Sequence, residues 1–132
     1  AEGAIKAFIA GAVASGIILL GFALFSFTTD SFNYAQMNVS GKYTLIAVAI
    51  MLAGIFYKLT VVPMHGWAAD AYSQVNHAAA AILSGVIKSV VLFATFKAFY
   101  KFLIAYPLAT VLIFSFFAIL TMTLANFMAL WQ

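Results

Sequence analysis

The sequence predicts an all-α protein, a polytopic bundle of four transmembrane helices, one of which is discontinuous near Thr60–Pro63. Of the 132 residues, 67% are hydrophobic and only 7% are charged, whereas about a quarter of the residues in a soluble domain are charged. Four apolar runs each approach the roughly 20 residues that a helix needs to cross a bilayer. A chain so poor in charge cannot cover a surface that faces water. We therefore expect a single transmembrane domain over residues 1–132.

Composition also excludes several function classes. The six basic residues are all lysines and form no cluster, so the sequence predicts no nucleic-acid partner. The chain has no cysteine, which excludes disulfides and thiolate metal sites. Both ends lie in or beside apolar segments, and we interpret them as positions within a longer protein.

The first predicted helix covers about 4–27. Its apolar run is uncharged, and it is preceded by Glu2 and Lys6, whose i,i+4 spacing suits a first turn at the membrane interface. The polar stretch that follows, 28–42, predicts an exposed loop.

Small residues recur at four-residue spacing in this first helix. The pairs are Gly11/Ser15 and Ala12/Gly16. Because small side chains let two helices approach closely in a membrane, these pairs predict a helix contact.

The second predicted helix covers 43–65 and contains both a charge and a proline. Lys58 interrupts its apolar run, and Pro63 follows five residues later. Proline removes a backbone donor, so we predict a break near Thr60–Pro63. Residues 66–76 are predicted to form a loop or a re-entrant segment.

The third predicted helix covers 77–101, with Lys88 in its middle. Pro107 then opens the fourth, over 107–131, where a first-turn proline leaves no extra donor unpaired.

Lys58 and Lys88 are the primary functional candidates. Each lies inside an apolar stretch, where a lysine costs about 2.5–3.5 kcal/mol on the insertion scale. Burial disfavours the ammonium form and so favours the release of a proton. The alternative is structural: Lys58 reaches the interface from a helix end, and Lys88 pairs with a carboxylate.

Helix geometry adds secondary candidates. His77, Ser84, Lys88 and Thr95 fall on one face of a regular α-helix. Such a stripe of exchangeable polar groups suits a water-assisted proton path. The alternative is that Ser84 and Thr95 only join helices by hydrogen bonds.

His65 and Asp70 follow the predicted break. A neutral imidazole both accepts and donates a proton near pH 7, so His65 is a third primary candidate. Asp70 is expected to pair with a lysine or to solvate the loop. Two histidines and one carboxylate lack the spacing of a metal site, so no bound metal is predicted.

The run from Lys58 to Tyr72, KLTVVPMHGWAADAY, matches the pattern K-x₄-P-x-H-x-W-x₂-D-x-Y. It resembles the antiporter-like subunits of respiratory complex I, of Mrp-type antiporters and of membrane-bound hydrogenases. Residues 2–6, 11–24 and 84–90 are most similar to subunit N (subunit 2) of NADH:quinone oxidoreductase. Departures are Ala68-Ala69 in place of the usual Thr-Pro, and 74–78, where the family has a Gly-Ala-Pro-x-Pro stretch.

This resemblance implies that the four helices are numbers six to nine of a proton-translocating subunit. Lys58 would then be a central proton-channel residue, Lys88 a relay, and His65 part of the same polar axis. The chain itself would bind no cofactor, while the whole complex uses NADH and quinone. The expected partners are other membrane subunits and the lipid bilayer, and the expected location is the bacterial inner membrane. An Mrp-type cation/proton antiporter or a membrane-bound hydrogenase is the alternative.

Overall fold

The computed structural model describes residues 2–29 and 41–131, so most of the predicted loop over 28–42 lies outside the described residues. All regular structure in this part of the chain is helical. In order, the elements are α1 (Glu2–Thr29), α2 (Lys42–Leu59), α3 (Gly66–Ser73), α4 (His77–Ala81), a π segment (Ile82–Ile87), α5 (Lys88–Ala105) and α6 (Pro107–Trp131).

Four helical spans are long and apolar enough to cross a membrane. They are α1, α2, the continuous stretch from α4 through the π segment to α5, and α6. The predicted all-α polytopic bundle is therefore confirmed. The third span continues to Ala105, four residues beyond its predicted end, and stops at Tyr106. Tyr106 precedes Pro107, which disfavours helical backbone at that position.

Close packing of α1 on α2 depends on glycines other than those predicted. A Cβ at Gly21 would lie 2.7 Å from the backbone nitrogen of Met51, and one at Gly54 would lie 3.0 Å from the carbonyl oxygen of Ala14. Gly11 and Gly16 face open space instead. Gly11 and Gly16 therefore do not form the contact with α2, because the face that meets α2 is the one with Gly21, and their predicted helix contact stays a prediction.

The core forms around α2. Phe56 packs its ring against Phe114 and Phe117 of α6, with ring centroids 5.9 and 4.8 Å apart. Phe99 and Phe102 of α5 are buried in the same cluster. Since α2 touches α1, α5 and α6, it holds the residues at its carboxyl end in a fixed place among the other spans.

The predicted break in the second helix is confirmed. α2 ends at Leu59, and Thr60 adopts a left-handed conformation with φ 59° and ψ 38°. The N–H groups of Thr60 and Val61 donate back to the carbonyls of Tyr57 and Phe56, at 3.3 and 2.9 Å. This pairing satisfies carbonyls that a helix end otherwise leaves free.

The chain then turns and starts a short helix. The N–H of Val62 donates to Thr121 Oγ1 of α6 at 3.3 Å, which ties the turn to the bundle. Of the loop or re-entrant segment predicted over 66–76, the loop alternative is wrong for Gly66–Ser73, which forms α3. Its Ala-Ala-Asp-Ala core has no internal glycine or proline, so nothing opposes a helix there.

Candidate functional site

A cavity of about 160 Å³ lies where α1, α2, α3 and the span from His77 to Ala105 meet. Lys58 and Lys88 both line it, so the structure brings the two predicted lysines together. The α1 wall consists of small residues, including Ala10 and Gly11, and the α3 wall includes Tyr72. Most of the lining is apolar, and Lys58, Lys88 and Tyr72 bring polar groups to it. A space of this volume is large enough for several water molecules, which would bond to those groups.

Lys88 is half-buried and held by two neutral groups. Its Nζ donates a hydrogen bond to Thr60 Oγ1 at 2.7 Å. The same nitrogen lies 5.4 Å from the ring centroid of Tyr72, within cation–π range. Among the described residues, no carboxylate lies within ion-pair distance of Lys88.

Tyr72 faces Lys88 as a neutral ring. Burial raises the pKa of the Tyr72 phenol, so the hydroxyl stays protonated throughout the physiological range. The ring is positioned by Trp67, whose centroid lies 6.4 Å away and which stacks on Tyr57 at the end of α2. A short aromatic series therefore connects the end of α2 to the lysine of α5.

Lys58 lies on the last turn of α2 and is half-buried. Within residues 2–29 and 41–131 its side chain makes no hydrogen bond and no ion pair, although it lines the cavity. An ammonium group in such a place is costly unless water or a charge from elsewhere reaches it. The cavity beside Lys58 has the volume to hold water.

The π segment changes which residues face this cavity. Its i→i+5 pairing adds a residue to the turn before Lys88. Leu83 and Ile87 line the cavity, whereas Ser84 is exposed and donates to the carbonyl of Ala81 at 3.4 Å. The prediction that Ser84 and Lys88 share a face assumed a regular α-helix, and that assumption is wrong for Ile82–Ile87.

The ends of the predicted stripe also lie away from the cavity. His77 is exposed at the start of α4. Thr95 is buried, and its hydroxyl donates to the carbonyl of Val91 at 2.7 Å. Neither residue lines the cavity.

His65 lies in the turn before α3, on the side of α6. Its Nε2 is 3.1 Å from the sulfur of Met128, and its Nδ1 is buried without a hydrogen-bond partner among the described residues. It does not line the cavity with the two lysines. Its part in proton movement stays a prediction.

Asp70 anchors α3 to the start of α1. Lys6 Nζ lies 2.9 Å from Asp70 and 2.9 Å from Glu2. The N–H of Gly3 also donates to the side-chain oxygen of Gln74 at 2.7 Å. These contacts hold α3, and with it Tyr72, against α1. Gln74 stands where the family usually has a different residue, so this contact was not predictable from the family pattern.

Sequence reasoning missed Thr60 and Tyr72 as contacts of Lys88. Both lie within the Lys58–Tyr72 run, which was the available signal. In the described ranges, no cluster of three or more His, Asp or Glu side chains has the geometry of a metal site.

The whole chain, residues 1–132, matches the family model described as "NADH:quinone oxidoreductase/Mrp antiporter, TM". The chain belongs to this family. It is 34% identical to NADH-quinone oxidoreductase subunit N of Campylobacter hominis over 99% of the chain and 28% of that relative. It is also 34% identical to the same subunit of Mycobacterium sp. (strain JLS), over 100% of the chain and 29% of the relative.

A third relative is F(420)H(2) dehydrogenase subunit N of Methanosarcina mazei, 29% identical over 99% of the chain and 28% of the relative. The chain therefore spans less than a third of the length of these relatives. No solved structure matches it. The predicted resemblance to subunit N is confirmed. The family and the four apolar spans also confirm the predicted location, an integral membrane protein of the bacterial plasma membrane.

Proposed function

We propose that this chain forms part of the proton-translocating membrane subunit of an NADH:quinone oxidoreductase, and that Lys58 and Lys88 pass protons through the cavity they share. The observation that supports this most is that two half-buried lysines from separate spans line one space of about 160 Å³. A structural lysine would face a carboxylate or the membrane interface, whereas Lys58 and Lys88 line the same cavity.

Charge repulsion makes the pair suitable for transport. Two ammonium groups at one cavity in a poorly polar surrounding repel each other, so a proton that arrives at one favours release from the other. Coupled titration of this kind converts the arrival of a proton at one end into its departure at the other. Water in the cavity would carry the proton between the amines.

The other predicted site residues have smaller parts in this proposal. His65 would exchange protons on the α6 side of the break, where its Nδ1 is buried without a hydrogen-bond partner among the described residues. Asp70 holds α3 in place through Lys6 rather than moving protons. His77 and Ser84 are exposed and do not line the cavity, so they would take no part in transfer between the two lysines.

The rest of the proposal concerns the whole complex. This chain would bind no cofactor, while NADH and quinone would be used by other subunits. The large apolar side chains exposed on α1, α5 and α6 would meet lipid and neighbouring membrane subunits. The named relatives are subunits of NADH-quinone and F(420)H(2) dehydrogenases, and they favour a redox-driven translocase over the Mrp-type antiporter and hydrogenase alternatives.

Replacing Lys88 with Met tests the proposal. We expect Lys88→Met in the full-length subunit to reduce NADH-driven proton uptake into vesicles by at least about tenfold, because it removes one of the two exchanging amines. Assembly is checked on a native gel. Lys97→Met, on the same span but outside the cavity lining, is the control and should retain uptake. Full proton uptake by an assembled Lys88→Met complex would rule out the proposed relay.

His65→Ala gives a smaller effect. We expect fewer protons translocated per electron at normal assembly, because the titratable ring beside the broken helix is lost. The ratio of proton uptake to NADH oxidation measures this. His77→Ala, at the exposed start of α4, provides the comparison. An unchanged ratio in assembled His65→Ala complexes would remove His65 from the path.

A further inference from the structure

Thr60 combines two features that a residue at a helix end rarely shares. Its backbone is left-handed, with φ 59° and ψ 38°, and its side chain is β-branched. Glycine fits this conformation without a steric penalty, whereas a β-branched residue there is an outlier. Strained backbone of this kind persists where the surroundings hold it in place, and it clusters at functional positions.

The hydroxyl of Thr60 connects Lys88 to the broken end of α2. Thr60 Oγ1 lies 2.6 Å from the carbonyl oxygen of Leu59 and 2.7 Å from Lys88 Nζ. Because the hydroxyl hydrogen is directed to the Leu59 carbonyl, the oxygen lone pairs are available to the ammonium group. The carbonyl of Leu59 belongs to the last turn of α2, which has no helical N–H partner.

This hydroxyl suits both protonation states of the lysine. A threonine hydroxyl accepts a hydrogen bond from an ammonium group, and after rotation it donates one to a neutral amine. A carboxylate in its place would bind the ammonium form strongly and oppose the release of a proton. Tyr72 on the other side of Nζ is also uncharged.

We propose that Thr60 is a positioning residue for proton transfer at Lys88. The left-handed end of α2 points its hydroxyl at the lysine, and the hydroxyl holds the amine at the cavity it shares with Lys58. The π segment directly before Lys88 gives this part of the span an irregular register, so the contact across to Thr60 fixes where the amine lies. This inference rests on the proposed function of the lysine pair.

Three substitutions separate the hydroxyl from the backbone. Thr60→Val keeps the β-branched shape and removes the hydroxyl, Thr60→Ser keeps the hydroxyl, and Thr60→Gly favours the left-handed backbone but has no side chain. Each is introduced into the full-length subunit within its complex. Proton uptake is then measured in vesicles per amount of assembled complex.

We expect Thr60→Val and Thr60→Gly each to lower the uptake rate by about tenfold, the effect of losing one hydrogen bond to a charged group. Thr60→Ser should retain uptake near the unmodified level. Uptake at that level in Thr60→Gly would show that only the backbone matters and would overturn the inference. Equal loss in Thr60→Ser and Thr60→Val would do the same.

The Lys88→Met complex distinguishes this failure from failure of the proposed function. If Lys88→Met pumps normally, the lysine relay itself is wrong. If Lys88→Met loses uptake while Thr60→Gly retains it, the relay stands and the Thr60 hydroxyl has no positioning role. Thr60→Gly keeps the second outcome measurable even where the valine variant fails to assemble, because glycine relieves the backbone.

Discussion

Replacing Lys58 with Met is expected to abolish or strongly reduce proton translocation by the assembled complex. The substitution keeps the length of the side chain but removes its exchangeable proton at the cavity wall. Lys58→Arg should also impair translocation, because the guanidinium group keeps its charge and does not release a proton. Proton uptake into reconstituted vesicles, with assembly checked on a native gel, measures both variants.

The arginine variant decides between a proton carrier and a fixed charge. A site that only needs a positive charge would work with either basic side chain. Full uptake by an assembled Lys58→Arg complex would therefore leave a structural charge in place of a carrier. Lys42→Met is the matched control, since Lys42 is exposed at the opposite end of the same helix.

Gly11→Leu is expected to reduce proton translocation almost as strongly as Lys58→Met, although it leaves both lysines in place. Gly11 lines the cavity, and a Cβ built there meets no atom within 4 Å. A leucine at this position would extend into the space between α1 and the two lysines. Exclusion of water from that space would interrupt proton exchange, and uptake would fall by at least about tenfold.

Gly16→Leu is the control for this experiment. Gly16 lies on the same helix and also meets no atom within 4 Å, but it does not line the cavity. We expect its complex to assemble and to retain translocation. Similar translocation by the Gly11→Leu and Gly16→Leu complexes would show that the cavity is not on the proton path.

The spans and the break were predictable because their causes are local in the sequence. Four apolar runs separated by polar or proline-containing stretches define four spans in any bilayer. Pro63 lacks an N–H, so the helix before it had to end nearby. α3 was missed because eight residues of mixed polarity after a proline are typical of a loop as well as of a short helix.

The features that were not predictable depend on contacts between distant residues. Which small residues of α1 meet α2 is decided by the rotation of the two helices, and the sequence offered Gly11 and Gly16 as readily as Gly21. The π segment has ordinary helix-compatible residues, and nothing in Ile82–Ile87 indicates the extra residue in its turn.

The candidate site was predictable in its charges and not in its neutral partners. Lys58 and Lys88 are conspicuous because a charge in an apolar run is rare. Thr60 and Tyr72 are ordinary residue types, and their contact with Lys88 joins positions 28 and 16 residues apart in the sequence. Such pairings follow from how the spans pack, which single-sequence patterns do not encode.

The sharing of one cavity by several spans also constrains how the protein is made. Because a chain is synthesised from its amino terminus, α1 and α2 are available to the bilayer before the span with Lys88 exists. Lys58, near the end of the least apolar of the four spans, then adds to the cost of insertion without the finished cavity. Gly54, one turn before Lys58, packs against Ala14 of α1, so α1 covers this part of α2 before the third span is made. The two helices are thus expected to enter the membrane as a hairpin, with biogenesis depending on α1.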